Sequence, residues 1–109
     1  MLIEDKIQVI LVQSFVPGKS FTGFLQEIDE TQIKIYVDKK YSHDFTIYKP
    51  KPCYISVIKD RKTIYNFITE HLISVQNQNE NTLLTFSFLY YSDDIEKNRI
   101  QDFMAQLKS

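Results

Sequence analysis

A chain of 109 residues with one cysteine, two glycines and three prolines is short of the residues that staple or punctuate a fold. Cys53, standing alone, cannot close an intramolecular disulfide. With no signal-peptide pattern at the start of the sequence, it fits a reducing, cytoplasmic setting. The longest apolar run lies within Ile7 to Val12, far too short to span a bilayer, so no membrane insertion is expected. Net charge is also lacking. Thirteen basic residues against fourteen acidic ones leave −1, so no net positive field draws the protein to nucleic acid or to an anionic membrane, although local patches are allowed. No internal repeat, low-complexity tract or linker divides the sequence, and no catalytic or metal-binding motif is complete in it.

What is present is enough apolar material for a core. Hydrophobic residues make up 43% and aromatic ones 14%, which suits a single domain over residues 1–109. Met1 to Lys6 reads as a lead-in, either one turn of helix or an extended arm. Ile7 to Val12 reads as a buried strand, because its β-branched side chains fit a pleated surface. Pro17-Gly18 marks a turn. Ser20 to Ile28 resumes as a strand, with Gly23 as the expected bulge or bend. After the turn Asp29-Glu30-Thr31-Gln32, the alternation of Ile33, Ile35 and Val37 with Lys34 and Tyr36 marks a strand with one face in the core. Asp38 to Asp44 reads as a polar loop, and Phe45 to Tyr48 as a short strand ended by Pro50 and Pro52. Cys53 to Ile58 is a further strand, followed by the charged hairpin connection Lys59-Asp60-Arg61-Lys62. Thr63 to Val75 is long enough to bend or bulge, and Asn77 to Asn81 turns the chain into a last strand.

That last strand, from Thr82 through the aromatic end Tyr90-Tyr91, runs into a helix expected over residues 93–107. Ile100, Phe103, Met104 and Leu107 fall at helical spacing and form one apolar stripe, which must lie on the sheet. Ser92 suits the cap, Asp93 and Asp94 the positive end of the helix dipole, and Lys108 the negative end. Phe86 and Phe88 are expected beneath the stripe. The fold class is therefore mainly β: a small antiparallel barrel or strongly curled sheet of six to seven strands with a C-terminal α-helix.

The order of elements resembles the PilZ family, the small β-barrel domains of bacterial cyclic di-GMP signalling. The resemblance is carried by ITEHLISVQNQNENTLLTFSFLYYSDDIEKNRIQDFMAQLKS at the C-terminus and by FTGFLQEIDETQIKIYV upstream. KPKPCYISVIKDRKTIYNFITEHLISV also resembles the related N-terminal domain of flagellar-brake proteins. Family members that bind the nucleotide carry an Arg-x-x-x-Arg arm, whose guanidinium groups hold phosphates bidentately and stack on guanine. Here only Lys6 precedes the first strand, and no arginine occurs before Arg61. The family's second signature, Asp/Asn-x-Ser-x-x-Gly, falls on residues 27–32, with Glu27, Asp29 and Gln32 in the places of Asp or Asn, Ser and Gly. Acidic side chains there repel phosphates. The resemblance thus implies a non-catalytic PilZ-like adaptor in cyclic di-GMP-linked signalling or motility, with a protein partner and no cofactor; cyclic di-GMP itself is disfavoured. The alternative is a receptor domain gripping the nucleotide through Lys6 or Arg61, or the partner half of a two-domain receptor.

Other candidates have plainer readings. His43, Asp44 and Asp38 lack the spacing of a metal site, and Cys53 with His71 lacks an oxyanion loop; a solvated loop and a core cysteine are expected instead. Gly18-Lys19-Ser20 echoes a phosphate loop without its first glycine or its helix. Lys34, Lys39, Lys40, Lys49, Lys51, Lys59, Arg61 and Lys62 interleave with Tyr36, Tyr41, Tyr48 and Tyr54, a pattern that can grip single-stranded nucleic acid in a small barrel. The acidic balance opposes it, and an Sm-like reading fails because that family opens with its helix. Tyr90 and Tyr91 lie on opposite sides of their strand, so one of them is the expected partner contact.

Overall fold

The computed structural model describes residues 1–13, 19–45, 53–88 and 94–108. Six strands, β1 (Gln8–Gln13), β2 (Ser20–Ile28), β3 (Gln32–Asp38), β4 (Cys53–Lys59), β5 (Lys62–Gln78) and β6 (Asn81–Phe88), are followed by helix α1 (Asp94–Lys108). They close into an antiparallel barrel in the order β1-β2-β3-β6-β5-β4. Closure depends on β1, which sets Val9 opposite both Gly23 and Val57, and Leu11 opposite both Phe21 and Ile55. The period-two pattern of these strands places Val9, Leu11, Ile33, Ile35, Ile55, Val57 and Leu84 inside, fully buried. Each such side chain contributes about 1.5–3 kcal/mol through burial. Side chains fill the interior of a barrel this small.

β5 is the corner of the barrel. Its first part pairs with β4, from Lys62↔Lys59 to Thr69↔Cys53, and its second part with β6, from Thr69↔Phe88 to Gln78↔Asn81. Register shifts between Thr69 and His71 and between Leu72 and Ser74 let the long strand bend, as its length predicts. Thr69 sits at the hinge between partners. Although buried, its hydroxyl donates to Cys53 O at 3.1 Å and accepts from Cys53 N at 3.3 Å, so no polar group is stranded there.

The β4–β5 turn carries Asp60 (φ 52°) and Arg61 (φ 63°) in left-handed conformations, the backbone that a two-residue hairpin requires. Gly23 reads as a bulge or a bend in the sequence; the bulge in β2 falls between Leu25 and Glu27. Gly23 serves a different need, because a Cβ there would lie 2.5 Å from Tyr36 O on the neighbouring strand.

The expected loop Asp38 to Asp44 is instead a 3-10 helix, Lys39–Asp44, started by Asp38, whose carboxylate accepts from Lys40 N at 2.9 Å. The helix lies where β1 ends, with Gln13 Nε2 donating to Asp44 O at 2.8 Å. Beside it Phe45 is buried against Phe21, ring centroids 4.9 Å apart. The N-terminal lead-in proves to be an extended arm along β2: Ile28 N donates to Met1 O and Ile3 N to Gln26 O.

α1 covers the other end of the barrel. Ile100 and Phe103 are buried, and Phe103 packs on Tyr65 and Phe67 with centroids at 4.6 and 5.4 Å. Phe67 in turn meets Phe88 at 5.5 Å. Arg99 Nη2 donates to Asn66 O at 3.2 Å, and Gln106 Nε2 to the Tyr65 hydroxyl at 2.8 Å, which ties the helix along β5. The expected turn Pro17-Gly18, the strand residues beyond Phe45, both Pro50 and Pro52, and the cap residues Ser92 and Asp93 lie outside the described residues.

Candidate functional site

The β2–β3 turn has its side chains engaged within the chain. Asp29 Oδ1 accepts from Thr31 N at 2.8 Å, from Thr31 Oγ1 at 2.9 Å and from Gln32 N at 2.9 Å. Partial burial pushes the Asp29 carboxyl up, but these bonds outweigh it and hold the group below its ordinary value. Glu27 faces Lys34 across the strand pair at 3.4 Å. Glu30 accepts from Gln101 Nε2 at 2.7 Å and lies 3.7 Å from Lys97 Nζ, joining the turn to α1. Gln32 opens β3 opposite Ser87. Glu27, Asp29 and Gln32 thus build the turn and its flanking strand ends.

Lys6 and Arg61, far apart in sequence, line one cleft. Its volume is about 500 Å3, and it is bounded by the arm residues Asp5 to Gln8, the β4–β5 hairpin and the last turns of α1. Buried Val57 and Phe103 form part of its lining, with Ile7, Ile58, Ile64 and Leu107 around them and Lys59, Asp60 and Gln106 at the polar part. Lys6 Nζ lies 4.5 Å from the centroid of the Phe24 ring.

A second surface lies on the outside of the barrel. The registers pair Val12 with Tyr54 and Tyr54 with Ile68, so three outward positions on β1, β4 and β5 form one row. Val12 is 37% exposed and Tyr54 45%. The next row holds half-buried Ile10, then Ser56 donating to Asn66 Oδ1 at 2.7 Å. The sequence reading counted Tyr54 only among the interleaved tyrosines and missed Val12 and Ile68. The available signal was the alternation within Cys53 to Ile58, which puts Tyr54 on the outward phase.

The remaining candidates scatter. Asp44 pairs with Lys19 at 2.6 Å, Asp38 caps the 3-10 helix, and His43 is exposed on that helix. No group of three potential metal ligands forms among the described residues. Cys53 is buried, and desolvation pushes its thiol up to about 12, which suits a core cysteine and not a nucleophile. His71 is exposed beside Glu70. Of the basic residues interleaved with tyrosine, Lys39 and Lys40 sit on the 3-10 helix where β1 ends, while Lys59, Arg61 and Lys62 sit on the hairpin beside its start. Tyr90 and Tyr91 lie outside the described residues. No helix among the described residues is long and apolar enough to cross a membrane. No protein-family model matches the chain, and none of the curated proteins does.

Proposed function

We propose that the protein is a non-catalytic, PilZ-like interaction module that docks a protein partner on the outer face of β1, β4 and β5, in bacterial second-messenger signalling or motility. The observation that carries this reading is the row Val12, Tyr54 and Ile68. An aromatic ring flanked by two aliphatic side chains on a rigid sheet is the kind of anchor on which binding energy concentrates. Flanking Ser56 and Asn66 supply a polar border already bonded to each other. The choice of a partner over a nucleotide draws on the β2–β3 turn, where Glu27, Asp29 and Glu30 are engaged by neighbouring groups of the same chain.

The test places a photo-crosslinking amino acid at Tyr54, identifies the captured protein, and titrates that protein, purified, against the wild-type chain and the Tyr54→Ser variant. A hot-spot tyrosine predicts that the variant binds at least about thirtyfold more weakly, the equivalent of about 2 kcal/mol. Equal affinity would remove this face from the proposal. Calorimetric titration with cyclic di-GMP is expected to stay silent to millimolar concentration; heat saturating in the micromolar range would replace the adaptor reading with that of a receptor.

A further inference from the structure

We propose that the cleft between α1, the N-terminal arm and the β4–β5 hairpin binds a small organic monoanion, with an apolar body on its floor and a single carboxylate or sulfonate at its rim. The inference goes beyond the docking surface and does not rest on it. A volume of about 500 Å3 lies within the range of small-molecule sites, which are mostly apolar with a few convergent polar groups. Here the lining is about half polar, and its apolar share includes Val57 and Phe103. Val57 and Phe103 belong to the barrel core and are 0% and 1% exposed, while Ile64, at 41%, stands on the wall with its side chain only partly covered. An apolar ligand surface would complete the burial of Ile64.

The rim fixes the charge. Lys6, Lys59 and Arg61 stand against Asp5 and Asp60, three positive groups to two negative, an excess of one. None of the five is in an ion pair among the described residues. The last turn of α1 adds partial negative charge beside Gln106 and Leu107. A singly charged head is therefore accommodated, whereas a doubly charged one meets both carboxylates and the helix end. The turn sets the left-handed backbone of Arg61 at the hairpin end of the rim. Lys6 Nζ rests over the ring of Phe24, which stands outside the cleft lining, so a ligand head must draw it from that ring.

The probe is 1-anilinonaphthalene-8-sulfonate, an aromatic monoanion whose fluorescence rises on leaving water, with uncharged N-phenyl-1-naphthylamine as its counterpart. Both are titrated against the full chain, the double variant Lys59→Gln/Arg61→Asn, and Tyr54→Ser. Asparagine tolerates the left-handed turn position, so the double variant removes charge while keeping the hairpin. For exposed rim charges the sulfonate's Kd should rise about threefold to tenfold in the double variant. Affinity for the neutral probe should change by less than about twofold, and added salt should weaken only the sulfonate. The proposal is overturned if the sulfonate does not saturate, if both probes weaken equally, or if Tyr54→Ser abolishes the signal while the double variant leaves it intact. Any of those results leaves the docking proposal to its own test.

Discussion

Phe103→Ala tests whether α1 is packed as a structural part of the barrel. Phe103 is 1% exposed and lies between Tyr65 and Phe67, with centroids 4.6 and 5.4 Å away. Truncating a buried phenylalanine to alanine costs about 3–5 kcal/mol, from lost transfer free energy and from the cavity left behind. The site lies at the end of the barrel and beside the cleft, where the helix can settle inward and water can enter, so the lower figure applies. We expect a loss of about 3 kcal/mol, which with a urea m-value of about 1–3 kcal/mol/M lowers the unfolding midpoint by at least about 1 M. Equilibrium urea unfolding followed by circular dichroism measures it, with exposed Asp102→Ala as a surface control expected within about 0.5 kcal/mol. A loss below about 0.5 kcal/mol for Phe103→Ala would show that the helix stripe contributes nothing to the core, and the fold argument built on Ile100 and Phe103 would fail.

Gly23→Ala should destabilise despite the small size of the added methyl. The new Cβ would meet Tyr36 O at 2.5 Å and Ile35 Cγ2 at 2.9 Å, and the first contact is backbone held in the β2–β3 ladder. Overpacking of this kind costs about 1–3 kcal/mol, against about 0.4–1 kcal/mol regained from a stiffer unfolded chain. A melting temperature equal to or above that of the wild type refutes the close approach. Asp29→Asn removes charge from the β2–β3 turn while leaving an oxygen that can accept the same bonds. The folded carboxyl titrates below its ordinary 3.8, so its contribution is present above that value and is lost as pH falls through the lower folded value. The stability gap between wild type and variant should be flat above about pH 5 and close below it. A gap that widens on acidification contradicts the hydrogen-bonded turn.

How much of this was legible in the sequence depended on whether the signal was local. β3 announces itself because Ile33, Ile35 and Val37 alternate with polar residues, and the stripe of Ile100 and Phe103 follows from helical spacing; both are buried as read. The 3-10 helix was read as a loop because its six residues contain no apolar period; Asp38 caps it, and contacts between distant residues, Gln13 with Asp44 O and Phe21 with Tyr41, seat it. On residue type Gly23 reads as a bulge or a bend in β2. Strand geometry instead used the glycine to clear the Tyr36 carbonyl and displaced the bulge toward Glu27. The row Val12, Tyr54 and Ile68 was not legible at all, since alternation gives each strand its outward phase but not which strands are neighbours or at what register. Lys6 and Arg61 were singled out for their charge alone, and the closure of β1 on β4 is what brings them to one cleft.

The two proposed surfaces are separable because a closed, filled barrel leaves only its outside and its ends for binding. The row crosses β1 at Val12, whereas the cleft reaches the chain at Ile7 and Gln8. At about 3.4 Å per residue, the four residues from Gln8 to Val12 span about 14 Å along β1 and the three from Tyr54 to Val57 about 10 Å along β4, so Tyr54 does not line the cleft. The cleft has a dependence that the row lacks. One of its walls is the end of α1, and α1 is held to the β2–β3 turn through Glu30, which engages both Lys97 and Gln101. Glu30 of the β2–β3 turn therefore joins that turn to the helix that forms one wall of the cleft. Changes there should alter the end of the barrel before they alter its outer face.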